Sequence, residues 1–352
     1  MFLYTIILLM LVFVSGIGLN TKYNNKKLLF YFISFILVLY VGLRGNGFDW
    51  ISYKDIYNGI RSGSNTYSGA TFIEYGFRLL IFISPSYRFL IFLTACLSIW
   101  MSLSAIYKLS SSSIPLLGLL IFYTTFCLPT YMGQIRQGIA IGFVLWSYIY
   151  YWENNKKKSL FLILIGSLFH MTALIALLIY LPIKKTYKIR TYAIGLVCAY
   201  ISSKFALILL GMILNITNTS MGDKILYYAQ TENIELGISF TILIRILTLF
   251  LALKLNNKED RLITYLTNIY YIGIVLYLVF GFAPQIAGRG TYYFSIMETI
   301  LVPFLVKKLI KHPVLYLGSY FSIVILSFYR FVMFFVDDHN YLSYVPYFQY
   351  YL

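Results

Sequence analysis

The sequence predicts an all-α polytopic membrane protein with about ten transmembrane helices and one re-entrant helical hairpin, forming a single integral membrane domain over residues 1–352. Three observations predict it. Hydrophobic residues make up 60% of the chain and charged residues only 11%, against about 25% charged in a soluble domain, so a soluble fold could not cover its apolar surface. Apolar runs of roughly 15 to 23 residues recur along the whole length, close to the ~20 residues that cross ~30 Å of hydrocarbon. The alternation with a turn every ~10 residues that a membrane β-barrel requires is absent.

The spans follow in order. Phe2 to Leu19 has no basic region before it and no small-residue cleavage site, and Lys22, Lys26 and Lys27 follow it. It reads as a retained first span with its N-terminus outside. Leu28 to Leu43 returns outward, and residues 44–87, rich in Gly, Ser, Asn and Tyr, form the longest external loop, dipping back toward the membrane at Phe77 to Ile83. Spans are expected at Phe89 to Tyr107, Ile114 to Leu128 and Arg136 to Tyr151, which keeps Lys108, Lys156, Lys157 and Lys158 inside.

Ser159 to Ile183 breaks the alternation, because cations flank it on both sides. A single span would put Lys184, Lys185, Lys188 and Arg190 outside and invert every later loop. A bend at Phe169-His170 keeps them inside, since two arms of ~12 to 15 residues each rise ~18 to 22 Å and return. Later spans then fall at Tyr192 to Leu214, Ile238 to Leu255, Leu262 to Phe282, Thr291 to Val306 and Val314 to Phe335, with a smaller external loop at 215–237 and both termini outside.

This topology sorts the cations by type. Of the 28 lysines and arginines, 17 fall inside and 15 of those are lysines; eight of the other 11 are arginines. The net charge of +16 is thus mostly the positive-inside rule, with no call for a nucleic-acid partner. Arginine binds phosphate and carboxylate with a rigid fork, whereas lysine is a hydrated point charge. An outward, arginine-rich cavity suits a lipid-linked phosphate. Arg78, Arg88 and Arg330 could equally snorkel to headgroups.

Cys96, Cys127 and Cys198 all lie in apolar runs and read as packing residues. The three histidines are far apart, and no HExxH, Walker A or GxGxxG string occurs, so metal hydrolysis, ATP-driven pumping and dinucleotide chemistry lose their support. No metal or cofactor is expected.

Five stretches could carry chemistry. Arg44 to Tyr53 places Arg44 and Asp49 among glycines at the mouth of an outer cavity, or holds them as an ion pair in a polar turn. Glu74 sits where the loop re-enters the membrane and is expected to pair with Arg78, its i+4 neighbour. Gln134, Arg136 and Gln137 crowd the outer start of a span, where a helix N-terminus favours an anion. His170 would lie at the tip of the bent hairpin, placed for proton transfer or a substrate hydrogen bond, or for structure alone. Arg289 opens a later span beside Tyr292 and Tyr293, with Glu298 about two turns deeper and paired within the bundle to Arg245 or Lys204.

Together these strings resemble a known family. R-x-x-G-x-D-x-x-x-Y (Arg44, Gly47, Asp49, Tyr53), E-x-G-F (Glu74 to Phe77), Q-x-R-Q-x-I-A (Gln134 to Ala140), F-H-x-[ST]-A (Phe169 to Ala173) and R-x-x-Y-[YF] (Arg289 to Tyr293) are similar to the EpsG-like branch of Wzy-type polysaccharide polymerases. The resemblance spans residues 40 to about 305, and the last 45 residues add nothing to it. It implies a GT-C-like membrane glycosyltransferase of the bacterial cytoplasmic membrane. Such an enzyme joins oligosaccharide repeat units carried on undecaprenyl pyrophosphate at the external face, without nucleotide sugar or metal, beside a flippase and a chain-length regulator. It implies Asp49, Arg136, His170 and Arg289 as catalytic, and Arg44, Tyr53, Glu74, Gln134, Gln137, Tyr292 and Tyr293 as substrate-binding. An O-antigen ligase would share the chemistry and a lipid-linked oligosaccharide flippase the cavity, although a flippase should show internal repeats.

Overall fold

The computed structural model describes residues 1–20, 25–63, 73–217, 239–256, 259–281 and 284–347. Among these the chain is helical, with no strand. It divides into two compact units, one formed by Met1–Leu177 with Val302–Leu352 and the other by Leu178–Leu301.

The first unit contains α1 (Phe2–Leu19), α2 (Lys26–Gly42), α3 (Trp50–Arg61), α4 (Tyr75–Ile83), α5 (Tyr87–Leu109), α6 (Pro115–Phe122), a π-helix (Tyr123–Gly133), α7 (Ile135–Trp152) and α8 (Lys156–Ser167). Its ends are signalled locally. Ser86 caps α5 by accepting from the Phe89 N–H at 3.1 Å, and Asn155 caps α8 by accepting from Lys158 N–H. Pro115 opens α6, where a missing N–H costs nothing. α6 and the π-helix form the core, and α1, α5 and α7 pack around it. The unit is completed by the end of α13 (Glu298–Lys308), by α14 (Pro313–Val336) and by α15 (Asp338–Tyr344). α14 leaves Val314, Phe321, Ile325 and Val332 exposed, the face of a helix whose surroundings are acyl chains.

The second unit contains the end of a 3₁₀ helix (Met171–Tyr180) that begins in the first, α9 (Ile189–Thr217), α10 (Phe240–Asn256), α11 (Arg261–Val279), α12 (Pro284–Ser295) and the start of α13 (Glu298–Lys308). Asp260 caps α11 through its carboxylate, which accepts from Leu262 and Ile263 N–H. Within this unit Asn268 on α11 donates to the Ile183 and Lys185 carbonyls and accepts from the Tyr192 hydroxyl. Three chain segments are thereby joined by one amide.

Five described stretches are long and apolar enough to cross a bilayer: Phe2–Leu19, Tyr87–Leu109, Pro115–Gly133, Arg261–Val279 and Pro313–Val336. The chain is a multi-helix membrane protein. Four local expectations need correction. Residues 44–87 are not simply a loop, since they carry α3 and the nine-residue α4, and α4, at ~14 Å, is far too short to span. The span expected at Ile114 to Leu128 is α-helical only to Phe122 and continues as a π-helix to Gly133. Thr291 to Val306 is not one helix, because the chain breaks at Ile296-Met297. Arg330, expected as a possible snorkelling residue, donates to Thr125 Oγ1 at 2.7 Å. Helix α8 stops at Ser167 and the 3₁₀ helix starts at Met171, so the regular helix is interrupted around Phe169-His170. The external loop expected at 215–237 lies almost wholly outside the described residues.

Candidate functional site in the first unit

The site begins with the loop after α2. Arg44 is 3% exposed, and its guanidinium donates to Val41 O at 2.6 Å, Met132 O at 2.8 Å and Asn46 O at 3.0 Å. Burial pulls its pKa below the usual arginine value. Arg44 therefore does not meet a cavity mouth, as expected of a substrate ligand; it fastens the loop to the last turn of the π-helix. Gly47 is required beside it, because its φ is +146° and a Cβ would stand 2.9 Å from Met132 O.

The C-terminal segment closes the same region. Asn46 Nδ2 donates to the Tyr344 and Pro346 carbonyls, Gly47 N–H donates to Ser343 O, and the Tyr4 hydroxyl donates to Tyr344 O. The Tyr344 hydroxyl in turn reaches Leu128 O at 2.9 Å. Burial raises the pKa of this phenol well above its ordinary range, keeping it a donor.

From Arg44 the chain runs through Asp49, the residue before α3, to Tyr53, which is buried on that helix. Tyr53 and Phe77 of α4 have ring centroids 5.7 Å apart. The Arg136 guanidinium lies over both rings, 5.7 Å from Tyr53 and 6.0 Å from Phe77, within cation–π range. Arg136 sits in the first turn of α7, directly after the π-helix, the kind of irregularity that often accompanies functional sites.

Glu74 completes the arrangement. Its Oε2 is 2.5 Å from Arg136 Nη1, and its Oε1 accepts from Met171 N–H at 3.4 Å. The expected pairing with Arg78 is corrected: the carboxylate's ion-pair partner lies 62 positions away. Arg136 and Glu74 keep 21% and 12% of their side-chain surface exposed, so the pair sits at the edge of the buried region. Gln134 and Gln137 flank it, Gln137 fully buried.

His170 is brought to the same place by three contacts. Gly76 N–H donates to Leu168 O at 2.8 Å, and a Cβ at Gly76 would approach that oxygen to 2.7 Å, so α4 docks on the segment through a glycine. Phe169 stacks on Phe143 of α7 at 5.6 Å and 12°. The Glu74 contact to Met171 N–H fixes the following residue. His170 Nδ1 then lies 2.6 Å from Thr172 Oγ1, which sets the orientation of the ring.

Four of the five sequence strings thus contribute to one region of one unit, linked through Arg44–Met132, Glu74–Arg136 and Glu74–Met171. The fifth belongs to the second unit. Arg289, expected to open a span, lies instead in the middle of α12. Tyr293 is fully buried and Tyr292 half-buried. In the same unit Glu298 Oε2 is 3.6 Å from Arg245 Nε, both side chains nearly inaccessible, in keeping with a structural ion pair. Sequence reasoning missed the Arg44 clamp, the Tyr344 latch and Phe77 as a wall for Arg136. Only the F of E-x-G-F signalled the last.

The EpsG family matches residues 27–349, nearly the full chain. The chain belongs to that family. No curated protein and no solved structure matches it.

Proposed function

We propose that this chain is a membrane glycosyltransferase that polymerises undecaprenyl-pyrophosphate-linked oligosaccharide repeat units into an exopolysaccharide, capsule or O-antigen, in the manner of Wzy-type enzymes. Membership of the EpsG family supports a polysaccharide-polymerase role in a membrane. The observation that carries the reading is the Glu74 carboxylate, which holds the Arg136 fork and the N–H next to His170 at once. A fixed cation stands there beside a fixed proton acceptor, as transfer from a phosphate leaving group requires.

In this mechanism a hydroxyl of the acceptor sugar attacks the anomeric carbon of the growing chain. The anomeric C–O bond to phosphate breaks with inversion, and undecaprenyl pyrophosphate departs with the electron pair. Arg136 stabilises the charge on the leaving phosphate, and donors aimed at developing charge are worth ~3 to 4 kcal/mol each. The hydroxyl proton passes to His170 or Asp49. Tyr53, Gln134 and Gln137 position sugar or phosphate, while Glu74 orients Arg136. Arg289, Tyr292 and Tyr293 keep the roles the family resemblance implies. The ten-span path with its re-entrant arm, termini outside a bacterial cytoplasmic membrane, and work beside a flippase and a chain-length regulator belong to the same proposal.

The test is incubation of purified protein with a lipid-pyrophosphate-linked repeat unit, without metal or nucleotide, followed by a gel of the glycan. A ladder spaced by one repeat is expected. Authentic substrate left unextended, with the same protein carrying lipid-linked sugar across vesicles, would replace polymerisation with transport.

A further inference from the structure

Helix α2 runs toward the site just described and α7 runs away from it, and at their remote ends the first unit holds a second polar feature. A cavity of about 460 Å³ is lined by Lys26, Lys108, Lys307, Ser111, Ser113 and Tyr316, with apolar walls from Leu19, Ile114, Pro115 and Ile310. Five segments meet around it: the end of α1, the start of α2, the α5–α6 connection, the end of α13 and the start of α14.

The charges in it are not balanced from within. Lys108 is neutralised, its ammonium 2.8 Å from Glu153 and over the Trp146 ring at 5.6 Å. Lys26 and Lys307 line the same cavity with like charge, and no carboxylate among the described residues lies within ion-pair distance of either. Lys26 is the first residue of α2 and Pro115 the first of α6, while the ends of α1, α5 and α13 line the same concavity, so the helix dipoles there largely offset one another and its positive potential comes from the lysines. The positive-inside rule explains lysines at this end of the bundle. It does not by itself explain why two should line one cavity without a carboxylate in ion-pair distance.

We propose that this cavity is a binding site for a phosphate-bearing anion, held between Lys26 and Lys307 with the hydroxyls of Ser111 and Ser113 as additional donors. The anion is either a phospholipid headgroup or free phosphate. The headgroup source has a path, since the apolar wall continues onto the lipid face of α14 at Val314 and Leu315, which are 84% and 57% exposed. Acyl chains can lie there while the phosphate enters the lysine pair. Bound anion would tie α1, α2, α6 and α14 together at the end remote from Arg136.

The test uses the full-length protein in detergent with equimolar phosphatidylglycerol and phosphatidylcholine, read by native mass spectrometry, with a parallel melting series in inorganic phosphate. For the lipid source, wild type retains phosphatidylglycerol over phosphatidylcholine, and Lys26→Gln/Lys307→Gln lowers that retention about tenfold or more. The pair Lys26→Arg/Lys307→Arg keeps it. For the phosphate source, inorganic phosphate raises the melting temperature of wild type but not of the glutamine pair, and phosphatidylglycerol is not preferred. In either case the glutamine pair melts higher than wild type when all anions are removed, because the repulsion is gone. Lys156→Gln/Lys157→Gln removes equal charge from the start of α8 and should change neither readout. Wild type showing neither a lipid preference nor a phosphate shift overturns the proposal, as does an equal loss in the Lys156/Lys157 pair.

Discussion

Arg44 and Arg136 are both arginines of the first unit, and the structure uses them in opposite ways. Arg44 is buried and donates to three backbone carbonyls, so its fork is consumed by the chain that surrounds it. Arg136 is held by one carboxylate and two aromatic rings and keeps part of its surface open. An arginine whose donors all end on main chain sets geometry. One held by a carboxylate against flat rings, with part of its surface open, is oriented and still able to take a second anion. Residue type placed both in the candidate site, and only the acceptors separate their tasks.

The largest effect that can break this contrast is at Arg44. Arg44→Ala leaves buried carbonyls unsatisfied, and the protein should lose ~3 kcal/mol or more of stability, read as a lower melting temperature in detergent and poor recovery of monodisperse protein. A fully stable Arg44→Ala that is inactive would make Arg44 a substrate ligand. Arg136→Lys keeps the charge and loses the fork, so polymer formation on the lipid-linked substrate should fall about 100-fold while the melting temperature barely moves. Full activity would put Arg136 in the same class as Arg44.

Two smaller changes sharpen the comparison. Gly76→Ala drives a methyl against Leu168 O and should shift the His170 segment, lowering turnover about tenfold, since small misplacements of catalytic groups are costly. Stability should change less than turnover. Tyr344→Phe removes one hydrogen bond to Leu128 O and should cost ~1 kcal/mol of stability, with turnover at low temperature unchanged. A Tyr344→Phe protein of normal stability and reduced turnover would move the C-terminal latch into the working site.

Much of this was legible in the sequence because the apolar runs, the caps and the order of the motif strings are local. α1, α2, α5 and α7 begin and end within two residues of the expected spans. The misreadings share a physical origin in distance along the chain. Spacing offered Glu74 an arginine one turn away, whereas tertiary packing supplied one 62 residues on. The change from α to π winding after Phe122 leaves the apolar composition unaltered, so no periodicity marks it. The break at Ile296-Met297 has neither glycine nor proline to announce it. The Tyr344 latch works largely through backbone carbonyls, which carry no residue signature at all.

The Arg44 clamp also determines how substitutions could accumulate here over evolutionary time. Its contact in the π-helix is the carbonyl of Met132, which every amino acid supplies, so position 132 can drift while Arg44 cannot. Glu74 and Arg136 meet side chain to side chain, so a change at either must be answered at the other. Among homologues the first arginine should therefore be fixed opposite a variable partner, and the second should change only in step with its carboxylate.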